Sequence, residues 1–93
     1  MKDIINEEKI RKYLDITEQA LKIAKKSIIK GKEKYAKEIF EMVSNYISDA
    51  RHFSEKKNFV DSFAAINYAH GWLDAGVRLD IFDVTNDKLF TVK

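Results

Sequence analysis

The sequence predicts an all-α protein that folds as an antiparallel, up-down-up three-helix bundle with a short C-terminal extended tail. Three observations predict this fold. The chain has 93 residues, the length of one small domain. It contains no proline and only three glycines, so few residues interrupt a helix. In three successive blocks, apolar residues recur at alternating spacings of four and three. We expect the bundle to occupy residues 1–82 and the tail to occupy residues 83–93.

The first block predicts a helix over residues 7–30. Its seam consists of Ile10, Leu14, Thr17, Leu21, Ala24 and Ile28. Asn6 can cap the first turn with its side chain. Gly31 can end the helix, because glycine readily adopts the left-handed conformation found at helix C-termini. This block should therefore form the first helix of the bundle.

The second and third blocks predict helices over residues 33–55 and 59–82. Their seams consist of Ile39, Val43, Tyr46, Ala50 and Phe53, and of Phe59, Phe63, Ile66, His70, Leu73 and Val77. Asn58 can cap the third helix, with Asp61 three residues later. The connections are short, so consecutive helices should run antiparallel.

The third helix carries more apolar surface than one seam requires. A second apolar set, on the opposite side, consists of Ala64, Ala65, Tyr68, Trp72, Ala75, Leu79 and Phe82. Three interpretations are open: the set lies in the core between the other helices, the tail folds over it, or it binds a partner or a second copy. Under the last interpretation, the interaction surface consists of Tyr68, Trp72, Leu79 and Gly76. The chain would then form a homodimer or bind another protein.

Gly71 and Gly76 lie inside the predicted third helix. Each costs about 1 kcal/mol relative to alanine at an interior helix position. Two such residues suggest close contact with another backbone. We therefore expect Gly71→Leu to damage folding or assembly.

A polar row also follows the third helix. Asn67, His70, Asp74 and Arg78 are separated by three, four and four residues. His70 and Asp74 are one helical turn apart, so the carboxylate could orient the imidazole of a ligand or catalytic site. The alternative, which the seam position of His70 favours, is a core histidine held in one tautomer. We assign no catalytic residue.

No metal or cofactor site is predicted. The chain has no cysteine, and its two histidines, His52 and His70, should lie roughly 15 Å apart in an antiparallel hairpin. No glycine-rich phosphate loop or zinc-ligand spacing occurs.

A stripe of basic residues lies in the C-terminal part of the predicted first helix. Lys22, Lys25, Lys26 and Lys30 are its members. Residues 1–37 contain 11 Lys and Arg against 6 Asp and Glu, whereas residues 38–93 contain 6 against 9. The stripe could contact the phosphates of a nucleic acid. It could equally be a solvated face whose cations lie near a helix C-terminus, and a net charge of +2 is small for a nucleic-acid-binding protein.

No apolar run approaches the roughly 20 residues needed to cross a membrane. The N-terminus is charged from Lys2 onward and does not have the pattern of a signal peptide. We therefore expect a cytoplasmic protein that does not insert into membranes.

Two segments resemble a known family. They are DARHF at residues 49–53 and YAHGWLDAG at residues 68–76. Together they resemble the archaeal family known as domain of unknown function 357, which consists of short, stand-alone proteins. The resemblance covers most of the second and third helices. It implies a compact three-helix bundle in an archaeal cytoplasm, and it implies no established activity.

These observations favour a non-enzymatic module for protein–protein interaction or homo-oligomerisation. Two alternatives are a nucleic-acid-associated protein that uses the lysine stripe, and a ligand or catalytic site around His70 and Asp74.

Overall fold

The computed structural model describes residues 4–90. Three α-helices follow one another in this part of the chain: α1 (Glu7–Lys25), α2 (Glu33–Glu55) and α3 (Phe59–Arg78). The predicted all-α arrangement of three packed helices is confirmed. None of the described helices is long and apolar enough to cross a membrane.

α3 is the central helix of the molecule. It packs along both other helices, whereas α1 and α2 meet over only a short stretch. Tyr13 of α1 packs edge-on against Phe63 of α3, with ring centroids 5.2 Å apart. Ser62 of α3 is buried and donates a hydrogen bond of 2.7 Å to the Ala50 carbonyl of α2. The result is a flat molecule that measures 43 × 23 × 16 Å.

The core consists largely of the predicted seams, supplemented by small residues. Ala65 and Ala69 of α3 are buried beside the seam. Small side chains let neighbouring helices approach closely, so α3 can contact two helices at once. Seam residues with side chains buried in this core are Ile10, Leu14, Thr17, Ala24, Ile39, Val43, Ala50, Ile66, Leu73 and Val77.

α1 begins as predicted but ends five residues early. The Asn6 side chain accepts a hydrogen bond from the backbone N–H of Lys9 and caps the first turn. The helix ends at Lys25 instead of continuing to residue 30. The cause is pairing with the C-terminal part of the chain, because the N–H of Ile29 donates to the Ile81 carbonyl at 2.9 Å and the N–H of Asp83 donates to the Ser27 carbonyl at 2.8 Å.

α3 also ends earlier than predicted, at Arg78 instead of residue 82. Asp80 adopts a left-handed backbone conformation with φ of 60°, and the N–H of Ile81 then donates to the Gly76 carbonyl at 2.8 Å. This arrangement closes the last turn and stops the helix. α2 ends in the same way, with Lys57 at φ 61°. At the start of α3, Asn58 occupies the capping position, but its side chain makes no capping hydrogen bond.

The segment after α3 returns along the bundle. Ile81, Phe82 and Phe90 are buried. Phe82 forms an isolated antiparallel bridge with Ile28, and its ring stacks on Phe40 with centroids 5.4 Å apart. Phe82 therefore closes the bundle near the α1–α2 connection, and the tail continues from there to Phe90, whose ring lies beside His70 of α3. Residues 91–93 lie outside the described range.

Candidate functional site

The solvent side of α3 differs in composition from that of α1. In α1, eight residues are exposed and only Gln19 among them is uncharged. In α3, nine residues are exposed and only Asp61 and Arg78 among them carry charge. Single exposed apolar residues are normal on protein surfaces, but contiguous patches usually mark interaction sites. The exposed side of α3 is therefore the first candidate site.

We call this surface the α3 face. It consists of Val60, Ala64, Tyr68, Gly71, Trp72, Ala75 and, just after the helix, Leu79. Val60, Tyr68 and Leu79 are 71, 63 and 66% exposed, and Trp72 is 39% exposed. Tyr68 stacks on Tyr46 of α2, with ring centroids 5.5 Å apart. A shallow depression of about 340 Å³ lies beside the rings of Tyr68 and Trp72.

The structure of the single chain tests the first two interpretations of the excess apolar surface, burial in the core and cover by the tail. α3 does lie between the other helices, and Ala65 and Phe82 of the second set are buried in the core. The rest of the set is exposed: Ala64, Tyr68, Trp72, Ala75 and Leu79. The described tail packs elsewhere, through Val84, Leu89 and Phe90. Tyr68, Trp72 and Leu79, which the sequence assigned to an interaction surface, are thus exposed together.

The two glycines of α3 occupy different environments. Gly76 is buried beneath the ring of Phe82, so its assignment to the interaction surface is corrected. Gly71 is exposed, and a Cβ built there would have no neighbouring atom within 4 Å. The expected damage of Gly71→Leu to folding is therefore also corrected, because the single chain has room for a side chain at this position. A role of Gly71 in assembly stays a prediction.

The polar row lies at a second location, between α1, α3 and the tail. Asn67, His70 and Asp74 line a cleft of about 400 Å³, whereas Arg78 does not. Arg78 is exposed at the end of α3. The other residues around the cleft are Tyr13, Ile16, Gly71, Lys88 and Leu89.

His70 of α3 is held in place by a residue of α1. Its Nδ1 lies 3.1 Å from Oγ1 of the buried Thr17 on α1, within hydrogen-bond distance. Its Nε2 is 3.9 Å from Oδ1 of Asp74, and the two side chains are 23 and 27% exposed. The ring of Phe90 lies 6.4 Å from the imidazole. The imidazole is therefore positioned by Thr17, with Nε2 directed toward Asp74 at the cleft.

This cleft could bind a small polar molecule. It offers an imidazole, an amide, a carboxylate and an ammonium group beside apolar surface from Ile16 and Leu89. Within residues 4–90, no group of three or more His, Cys, Asp or Glu side chains could hold a metal ion.

The lysine stripe is interrupted by the early end of α1. Lys22 and Lys25 lie in the last turn, Lys26 caps the helix, and Lys30 lies in the following connection. All four side chains are exposed, and Nζ of Lys25 lies 5.8 Å from the ring centroid of Phe40. The lysines therefore cluster at one end of the bundle but do not form one helical stripe.

Another cleft, of about 530 Å³, lies along α2. Its lining residues are Ile28, Glu33, Lys37, Phe40, Glu41, Ser44 and Asn45. None of the predicted site residues lies there, and its two carboxylates and one ammonium group do not converge on a recognisable chemistry.

Comparison with known proteins identifies the chain's relatives at the level of a family. The model of the family described as "Protein of unknown function (DUF357)" matches residues 12–82, which include all of α2 and α3. No curated protein and no solved structure matches the chain significantly. The match covers well over half of the 93 residues and confirms the resemblance seen in the two segments. The chain therefore belongs to the DUF357 family.

Proposed function

We propose that the protein is a non-enzymatic helical interaction module that binds another protein chain through the α3 face. One observation carries this proposal: the central helix of the fold leaves Val60, Tyr68, Trp72 and Leu79 exposed along its full length. On its exposed side, only Asp61 and Arg78 carry charge.

The energetics support binding at this face. Burial of apolar surface contributes about 25 cal/mol per Å² removed from water. Tyrosine and tryptophan dominate binding energy at many interfaces, because each buries a large rigid surface at a low entropic cost. Tyr68 is already held by its stacking on Tyr46, so less conformational freedom would be lost when a partner covers it.

Site-specific photo-crosslinking tests this proposal. A photoreactive phenylalanine analogue is placed at Tyr68 and, as a control, at Ser48, an exposed position on α2 outside the α3 face. In lysate of the source cells, we expect discrete crosslinked species from position 68 and at most a few per cent of that yield from position 48. Equal yields from the two positions, or no product from position 68, would contradict the proposal.

A small-molecule site at the polar cleft is a second candidate function. The observation that favours it is the fixed imidazole: Thr17 occupies Nδ1 of His70, and Nε2 lies beside Asp74 at the cleft. A ligand with both donor and acceptor groups would complement this set. The cleft is formed by α1, α3 and the tail together, so only the folded chain would bind.

The imidazole signals in NMR spectra test the second candidate. Small polar metabolites of different charge are added to the protein, and the ring resonances of His70 and His52 are followed. His52 is an exposed histidine on α2 and serves as the internal control. Saturable shifts at His70 alone are expected for a ligand of the cleft. Shifts at neither histidine across the set, or equal shifts at both, would count against it.

A further inference from the structure

We propose that the partner covering the α3 face is a second copy of this chain, with the two α3 helices packed antiparallel about a two-fold axis near residues 69 and 70. This inference rests on the proposed function, because it names the occupant of the same face. It is carried by the spacing of the face, by the sizes of its side chains and by the two exposed charged residues beside it, Asp61 and Arg78.

Without Trp72, the spacing of the face is the same in both directions along the helix. Six of its positions are 60, 64, 68, 71, 75 and 79, which are separated by four, four, three, four and four residues. A two-fold axis brings a surface patch against itself, so residues at equal distances from the axis meet. Val60 then meets Leu79 of the second copy, Ala64 meets Ala75, and Tyr68 meets Gly71.

The side chains at these paired positions have complementary sizes. Tyr68 is 63% exposed, and Gly71 has open space where a Cβ would stand. In the antiparallel pair, each tyrosine ring lies over the glycine of the other helix. The alanine pairs lie on either side of this contact and allow the backbones to approach. This arrangement gives a physical reason for an exposed glycine inside a helix, where it costs about 1 kcal/mol relative to alanine.

The two charges on the exposed side select the antiparallel direction. Asp61 lies in the first turn of α3 and Arg78 in the last. In the antiparallel pair, Asp61 of each chain lies beside Arg78 of the other, so opposite charges meet at both ends. In a parallel pair, like charges would meet at both ends and oppose association.

The mass of the purified protein in solution tests whether the chain pairs with itself. Light scattering is expected to give a mass near twice 10.8 kDa at high concentration. Gly71→Leu should weaken the dimer about tenfold or more, because the new side chain occupies the place of Tyr68 of the second copy. The same variant should not lower the melting temperature of dilute monomer, since the single chain has open space there. Ser48→Leu, the matched control outside the α3 face, should leave the mass unchanged.

Cysteine crosslinking tests the direction of the pair, because the natural chain has no cysteine. The Val60→Cys and Leu79→Cys variants are each treated alone, and also as a mixture of the two, with a thiol crosslinker. The crosslinker spans about 10 Å, the distance between packed helix axes. Positions 60 and 79 lie roughly 28 Å apart along one helix. The antiparallel pair predicts a crosslinked dimer from the mixture and little from either variant alone.

Two outcomes would overturn the inference. One is a monomer mass at high concentration, and the other is a crosslinked dimer from Val60→Cys alone, which indicates a parallel pair. The proposed function is judged separately. If the chain is monomeric but position 68 crosslinks to a different protein, the interaction module stands and its partner is not a second copy. If position 68 captures nothing and the chain is monomeric, both proposals fail.

Discussion

Phe82→Ala is expected to lower the free energy of unfolding by about 3–5 kcal/mol, the range for removal of a fully buried aromatic side chain. The Phe82 ring is 2% exposed, covers Gly76 and stacks on Phe40. Its backbone also bridges to Ile28. Loss of the ring would leave a cavity at the point where the C-terminal segment joins α2 and α3. For a domain of this length, total stability is about 5–14 kcal/mol, so the loss is large.

Urea denaturation measures this effect through the midpoint and slope of the transition. Ile4→Ala is a suitable control, because Ile4 is 62% exposed and its truncation should cost less than about 0.5 kcal/mol. A loss below about 1 kcal/mol for Phe82→Ala would show that the ring does not pack as the structure places it.

Gly76→Ala should lower the free energy of unfolding by about 1–3 kcal/mol, the usual cost of overfilling a packed core. Helix propensity alone predicts the opposite, a gain of about 1 kcal/mol. A Cβ at this position would lie 2.5 Å from Cδ2 of Phe82 and 3.2 Å from Cδ1 of Ile39. The ring cannot move away easily, because it is buried and stacked on Phe40.

Gly71→Ala provides the matched comparison within the same helix. Its Cβ meets no atom within 4 Å, so this variant should gain up to about 1 kcal/mol when measured as dilute monomer. Replacing Phe82 by leucine in the Gly76→Ala background should recover part of the loss, because a smaller side chain relieves the overlap. Equal responses of the two glycines to alanine would refute the packing argument.

The sequence predicted the helices well but placed two of their ends incorrectly. The seams depend on local periodicity, and most of their residues are buried as expected. The early end of α3 depends on the left-handed Asp80, and the early end of α1 depends on the pairing of residues 27–29 with residues 81–83. This pairing joins segments more than 50 residues apart. Periodicity within one helix carries no information about such a partner, and Ile28 suits a helical seam as well as it suits an extended bridge.

The sequence pointed to some residues of the candidate sites and missed the contacts of others. The reason is again that periodicity within one helix carries no information about a distant partner. The exposure of Tyr68, Trp72 and Leu79 could be suspected, because α3 has more apolar surface than two neighbours can cover. The partner of His70 was missed, since Thr17 lies on another helix. A signal was present: both residues occupy seam positions, and polar groups at facing seam positions of two helices tend to hydrogen-bond to each other. The burial of Gly76 required knowledge of where Phe82 returns.

The central position of α3 has a consequence for how the chain acquires its fold. α1 is synthesised first, yet it makes little contact with α2, the next helix to emerge. Its docking surface is supplied by α3, and its C-terminal end is fixed by residues 81–83. The α2–α3 hairpin, by contrast, is built from contacts between neighbours in sequence, which form quickly. During synthesis, α1 therefore has no docking surface until α3 and residues 81–83 have left the ribosome.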